Sequence, residues 1–291
     1  MGQSPKVRAW GLPQARKTVA NSTKNNYNKR KTKEDQHMWN NFQTDAYEGL
    51  IAETISVTGH GGKPVRAYYS RPLGEGPFPG ILLIHHMPGW DQFTRETARR
   101  FAAQGYSVIS PNLYEDFGHG TPEEVAERAR EQGGMVDKDV MEDCDGALSF
   151  LRSQPNASGR VGVIGMCSGG RHTFLAACTL EGIDCAVDCW GGGVVCPPEQ
   201  LTPQRPVQPL DYAEKLICPL LGIFGNEDWS PTKEDVDVLE ARLKELGKDY
   251  EFHRYDGAAH GFWYYHRPMY KHEQAMDSLE KVLAFFEKHL K

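Results

Sequence analysis

Residues Arg160–Gly170 read RVGVIGMCSGG, and this stretch decides the fold. The run at 161–164 is apolar and rich in β-branched residues, which predicts a short buried strand. Glycines flank Cys167 on both sides, and an apolar helical pattern follows at 174–177. The stretch therefore predicts a strand that turns sharply into a helix, with a cysteine on the turn.

Cys167 has the position of a nucleophile on such a turn. The usual residue in G-x-S-x-G is Ser, and here it is Cys. The N-terminus of a helix favours the thiolate over the thiol, and the amide of Ser168 would serve as one oxyanion-hole donor. The motif alone also fits a buried core cysteine or a nucleotide-binding turn.

Strand and helix patterns alternate from residue 80 onward, which predicts parallel strands joined by crossover helices. An antiparallel hairpin is predicted before them, and a helix start at Thr121. We predict one α/β domain at 46–291, with a mostly parallel central sheet and helices on both faces. The predicted strands are Thr54–Thr58, Val65–Ser70, Ile81–Ile84, Tyr106–Ser110, 161–164, Cys185–Trp190, Pro219–Gly225 and Tyr250–Tyr255. The other predicted helices are Gln92–Gln104, Asp137–Ser153, Thr232–Leu246 and Asp277–Leu290.

Residues 1–45 differ from the rest of the chain. They are polar, with a basic middle at Lys24–Lys33 and no periodicity, which predicts a tail or an arm that contacts the domain or a partner subunit. The net charge of −6 gives no reason to expect nucleic acid or a membrane as partner. No apolar run approaches the roughly 20 residues of a bilayer span, and the N-terminus lacks the apolar core of a secretory signal.

The chain has seven cysteines, an odd number, without a close CxxC pair. This pattern argues against a disulfide framework and against a zinc ribbon. Reduced thiols in a cytoplasmic location are the simplest interpretation. Most of the cysteines lie in apolar segments and are predicted to fill the core, whereas Cys167 lies on the turn.

A nucleophile on such a turn is followed along the chain by an acid and then by a histidine, each on a loop just after a strand. Two further loops of this chain fit that order. Asp228 follows the strand at 219–225, and His260 follows the strand at 250–255. The carboxyl ends of parallel strands meet at one edge of a sheet. We therefore predict that Cys167 attacks, that His260 takes its proton or pairs with the thiolate, and that Asp228 holds the imidazole. Glu227 is an alternative for the acid.

The loop after the strand at 81–84 reads HHMPGW at 85–90. The amide of Met87 is the best candidate for the second oxyanion-hole donor. His86 could face the nucleophile, and His85 could pack beneath the sheet. Adjacent histidines raise the question of a metal, but no other ligand cluster accompanies them, so we predict neither a metal nor a cofactor.

Together these motifs resemble the dienelactone hydrolase family, a Cys-using branch of the α/β hydrolases. The resemblance spans residues 50–290 and includes GMCSGG around Cys167, GNEDWSP with Asp228, and YDGAAHGF with His260. It also includes RETARRFAAQGYSVISPNLY, which ends at Tyr114, and RPMY ahead of a helix ending LAFFEKHL. The resemblance implies the α/β-hydrolase fold, thiolate attack on an ester or lactone carbonyl, an acyl-enzyme at Cys167, and release by water.

The chain departs from the family pattern at two places. An acidic residue commonly stands where this chain has His86. Family members that cleave dienelactones also use basic residues near the triad histidine, whereas here Trp263 and Tyr264 follow it and Arg267 lies further on. This suggests a larger, more aromatic or less anionic substrate group. We expect the pocket to be lined by His86, Trp90, Trp263, Tyr264 and Arg267.

Three functions remain open on the sequence. The first is a hydrolase that acts on a small ester or lactone, and the second is acyl transfer, cyclisation or a lyase-type step at the same residues. Incorporation of label from oxygen-18 water separates these two. The third is a non-catalytic binding protein, in which the thiol of Cys167 would be no more reactive than free Cys. A homo-oligomer formed through the N-terminal arm is also possible.

Overall fold

The computed structural model describes residues 49–291, so the predicted arm at 1–45 lies outside the described residues. The strands are β1 (Leu50–Thr58), β2 (Pro64–Pro72), β3 (Phe78–Ile84), β4 (Ser107–Pro111), β5 (Ala157–Met166), β6 (Cys185–Cys189), β7 (Leu220–Gly225) and β8 (Tyr250–Tyr255). The helices are α1 (Gln92–Ala103), α2 (Pro122–Glu131), α3 (Asp137–Ser153), α4 (Ser168–Thr179), α5 (Lys233–Glu245) and α6 (His272–Leu290), and short 3-10 turns lie between them.

The eight strands form one sheet in the order β1-β2-β4-β3-β5-β6-β7-β8. The predicted hairpin is β1 with β2, which pair antiparallel, and β2 also pairs antiparallel with β4. All pairs from β4 to β8 are parallel. The prediction of a mostly parallel sheet is therefore confirmed, and the antiparallel part is the hairpin at one edge.

Helices cover both faces of the sheet, because alternate residues of each central strand point to opposite sides. Along β3, Leu82 and Ile84 belong to one core cluster, whereas Ile81 and Leu83 belong to the other. The first cluster packs under α2 to α5 and the second under α1 and α6. All four side chains are fully buried, and each burial contributes about 2 kcal/mol.

Several helix starts are fixed by local hydrogen bonds that the sequence encodes. Thr121 and Glu124 form a capping box at α2, and Thr232 and Asp235 form another at α5. The carboxylate of Asp91 accepts the amide of Thr94 at the start of α1, 2.9 Å away. These bonds satisfy amides that have no partner within the helix.

The structure differs from the prediction at the C-terminal helix. We predicted that it begins at Asp277, but α6 begins at His272. The first turn of α6 consists of polar residues that face the solvent. It therefore shows no apolar periodicity from which a helix could be predicted. Within residues 49–291, no helix is both long and apolar enough to cross a membrane.

Candidate active site

The strand–helix turn has the strained geometry that its glycines imply. Cys167 lies between β5 and α4 with a φ of 57°, a left-handed conformation that non-glycine residues rarely adopt. A Cβ on Gly165 would lie 2.1 Å from the carbonyl oxygen of Gly169, and a Cβ on Gly169 would lie 2.2 Å from that of Ile84. Both positions therefore require glycine, and the thiol is held at the N-terminus of α4.

Asp228 and His260 form a direct pair on the loops after β7 and β8. The Nδ1 atom of His260 is 3.1 Å and 3.0 Å from the two carboxylate oxygens of Asp228. The Asp228 side chain is fully buried, and its Oδ1 also accepts the amide of Ser230 at 2.9 Å. The carboxylate therefore fixes the ring with Nδ1 protonated and Nε2 directed away from Asp228.

Cys167 also acts on the pKa of His260, so the structure brings the three predicted residues close together. Burial alone would lower the pKa of His260, but the hydrogen bonds to Asp228 and Cys167 and the negative charges of both groups raise it to about 10. The Asp228–His260 pair therefore lies beside the cysteine of the strand–helix turn.

The loop after β3 is held in place by Tyr114. The Tyr114 hydroxyl donates to the carbonyl of Met87 at 2.7 Å. Gly89 has a φ of 93°, and a Cβ there would lie 2.9 Å from the Tyr114 ring. Burial, followed by the charge on Cys167, raises the pKa of Tyr114 far above its ordinary value, so the hydroxyl remains a donor. The backbone around Met87 is therefore positioned by a buried side chain.

The two histidines of this loop have different surroundings. His85 is buried: its Nδ1 donates to the His86 carbonyl at 2.9 Å, and its Nε2 accepts the amide of Leu113 at 3.1 Å. Burial lowers the pKa of His85 to about 4, so this ring is neutral. His85 was expected to pack beneath the sheet, and these contacts show a buried residue with both ring nitrogens hydrogen-bonded.

His86 is only 1% exposed and packs between Phe93 and Tyr264. Its Nε2 lies 3.0 Å from Oδ2 of Asp91, close enough for an ion pair but not aligned as a hydrogen bond. Burial alone would raise the pKa of Asp91, but its contacts with His86 and Thr94 lower it to about 2. His86 is therefore a buried residue whose ring contacts a predicted pocket residue, Tyr264. That it faces the nucleophile stays a prediction.

The other predicted pocket residues are divided between the wall, the core and the surface. Tyr264 is buried, and the charge on Cys167 contributes to the raised pKa of its phenol, second to burial. Trp90 is half-buried and packs edge-on against Tyr68.

Trp263 donates from Nε1 to Ser278 in α6 at 2.7 Å and is a core residue. Arg267 is exposed, with its Nε directed at His266. Trp263 therefore lies in the core and Arg267 at the surface, and a pocket role for either residue stays a prediction. Burial and direction of this kind cannot be read from a loop sequence.

The loop after β6 is held against helix α4. Arg171 is 4% exposed and forms two hydrogen bonds to Asp137, at 2.6 and 2.8 Å. The same guanidinium donates from Nε to the carbonyl of Gly193 at 3.2 Å. A Cβ on Gly192 would lie 2.3 Å from Oγ of Ser230, so this loop is wedged between α4 and the loop that carries Asp228.

All seven cysteines lie within residues 49–291, and no disulfide joins any of them there. Burial raises the pKa of Cys178 to about 12 and that of Cys218 to about 11, and it raises those of Cys144, Cys185 and Cys189 further. Only Cys167 and Cys196 are half-buried. Among the described residues, no group of three or more His, Cys, Asp or Glu side chains could hold a metal ion.

The comparisons with known proteins concern the family and the fold of this chain. The model of the dienelactone hydrolase family matches residues 65–290. The chain belongs to the dienelactone hydrolase family. A protein of Methylorubrum extorquens with the assigned name carboxymethylenebutenolidase is 32% identical over 249 residues, which cover 84% of each chain. A Bradyrhizobium protein with the assigned name 2-oxo-3-(5-oxofuran-2-ylidene)propanoate lactonase is 26% identical over 252 residues, or 83% of this chain and 98% of that one.

Solved structures show the same fold. A crystal structure from Klebsiella pneumoniae with the assigned name dienelactone hydrolase has a TM-score of 0.76 and 28% identity to this chain. The match covers 83% of this chain and all of that one. The α/β-hydrolase fold that the resemblance implied is therefore confirmed for this member of the dienelactone hydrolase family.

Two residues outside the predicted pocket set lie beside the site of this dienelactone hydrolase family member. Trp229 follows Asp228 directly, is 75% exposed, and has its ring centroid 5.7 Å from that of His260. Arg130, on α2, is exposed, and its charge acts on the pKa of Tyr114 in opposition to burial. Trp229 follows a strand end, and its place in the sequence already indicated the site face. A helix arginine has no distinguishing sequence signal, so only the fold could relate Arg130 to Tyr114.

Proposed function

We propose that the protein hydrolyses a carboxylic ester or lactone through an acyl-enzyme at Cys167. The observation that carries this proposal is the direct chain of contacts from Asp228 to His260 to Cys167. The names of the relatives support an ester or lactone bond as the target. The backbone amides of Ser168 and Met87, which donate no hydrogen bond within residues 49–291, support the same chemistry.

The first half-reaction forms a thioester. The thiolate of Cys167 attacks the carbonyl carbon, and the electrons of the C=O bond move to its oxygen. The amides of Ser168 and Met87 would donate to this oxyanion, since neither donates a hydrogen bond to another group within residues 49–291. Collapse expels the alkoxide, which takes the proton from Nε2 of His260.

The second half-reaction regenerates the thiolate. His260 is now neutral and removes a proton from water, and the resulting hydroxide attacks the thioester carbonyl. Collapse of the second tetrahedral intermediate expels the Cys167 thiolate and releases the acid. A lactone would give a single hydroxy acid, because its alcohol and acyl parts are joined. Asp228 holds the ring in the required tautomer throughout.

The acyl-enzyme is the direct test of this proposal. The protein is mixed with p-nitrophenyl acetate, quenched in acid during turnover, digested and analysed by mass spectrometry. We expect the mass of one acetyl group on the peptide containing Cys167, located on that residue by fragmentation. Acetylation of Ser168 instead, or turnover with no acetylated peptide at any time, would contradict the proposal.

The raised pKa of His260 gives a prediction for alkaline pH. Because the folded state binds this proton more tightly than the unfolded state does, its stabilising effect is complete below pH 6.5 and is lost as the pH rises through about 10. We therefore expect the unfolding temperature to fall more steeply over this range in the wild type than in His260→Gln. Activity should decline over the same pH range, because the leaving group needs the proton of His260. Parallel stability curves for the two proteins would contradict this account.

A further inference from the structure

Trp229 is an exposed aromatic side chain in a chemically significant position. It lies between Asp228, whose side chain is fully buried, and Ser230, whose amide donates to that carboxylate at 2.9 Å. The turn that orients the acid therefore also fixes the backbone of Trp229. A single exposed apolar residue needs no explanation by itself, but this indole is held against the ring of His260.

The reaction determines which part of a substrate would meet this ring. In the proposed mechanism the leaving oxygen must take its proton from His260, so the alcohol part of the ester lies on the His260 side of the thiol. The acyl oxygen lies on the other side, at the amides of Ser168 and Met87. The indole is 75% exposed, so most of its face is available to a bound group.

We propose, on the basis of the proposed function, that Trp229 stacks on the leaving group and selects esters with a flat aromatic alcohol part. Stacking of two aromatic rings adds about tenfold at most to binding beyond simple burial. The observed contact of Trp229 is between its ring and that of His260, so the proposed contribution rests on the exposed face of the indole.

The test compares phenyl acetate with ethyl acetate in the wild type, Trp229→Ala and Trp229→Phe. Both esters form the same acetyl-enzyme, so deacylation is common to them, and kcat/KM reports the steps through acylation, where the alcohol part is still bound. We expect Trp229→Ala to lower the phenyl-to-ethyl ratio of kcat/KM by about tenfold, and Trp229→Phe to restore most of it. Ile217→Ala is the matched control, because Ile217 is 88% exposed and lies before β7.

Two results would overturn this inference while leaving the proposed function intact. An equal loss for both esters would mean that Trp229 only covers the Asp228–His260 pair. An unchanged ratio with unchanged rates would mean that the indole does not contact the substrate. Failure of the proposed function has a different signature, since turnover of both esters would then survive Cys167→Ala, and the inference would fall with it.

Discussion

Cys167→Ala is expected to lower kcat/KM for p-nitrophenyl acetate by at least about a thousandfold, because the atom that forms the thioester is removed. The fold should persist, since alanine is smaller than cysteine and the turn depends on its glycines and on the Cys167 amide, which donates to the Cys189 carbonyl at 3.0 Å. Steady-state kinetics and the unfolding temperature of the purified variant check both statements.

Cys196→Ala is the matched control for this substitution. Cys196 is also half-buried and free, but it lies on the loop after β6 and its thiol is directed at the carbonyl of Pro197. We expect its kcat/KM to match that of the wild type. Activity that survives Cys167→Ala, or that falls equally in both variants, would remove the nucleophile from the proposal.

Asp228→Asn is expected to lower kcat by about a thousandfold to ten-thousandfold, with a small change in KM. An amide can present its NH₂ group to Nδ1 of His260, which reverses the tautomer and leaves Nε2 unable to deprotonate or protonate the reacting atoms. It also removes a hydrogen bond and a negative charge that raise the pKa of His260, so the alkaline limb of any residual activity should move below about 10. A pH–rate profile measures both effects.

Glu227→Gln provides the control for the acid. Glu227 precedes Asp228 and was the alternative acid on the sequence, but its side chain is exposed and His260 contacts Asp228 instead. We expect wild-type kcat and an unchanged alkaline limb in Glu227→Gln. If Glu227→Gln were the inactive variant and Asp228→Asn the active one, the acid would be reassigned.

The elements that the sequence predicted well are those whose patterns follow from burial. Helix α3 was predicted with the bounds Asp137–Ser153 that it has, because its apolar residues recur at helical spacing. Strand β3 was evident as a continuous apolar run, since both its faces are covered. The start of α6 was missed, because its first turn is polar and carries no such pattern.

The three proposed catalytic residues could be predicted from the sequence, because their order in the chain places each of them at the end of a parallel strand. Cys167, Asp228 and His260 each follow a parallel strand, and parallel strands bring their ends together. The pocket residues were less predictable, because a residue after a strand can turn towards the thiol, the core or the solvent. Trp263 turns to Ser278 in the core and Trp229 turns outwards, and neither direction is encoded in local spacing.

The order of the strands also determines when the site can assemble during synthesis. His260 lies beyond β8, the last strand in the chain and an edge of the sheet. A ribosome-bound chain that has already paired β1 to β6 carries Cys167 on the strand–helix turn without His260. The pair therefore cannot form until nearly the whole domain has emerged, and a chain that stops before β8 retains the cysteine without its partner.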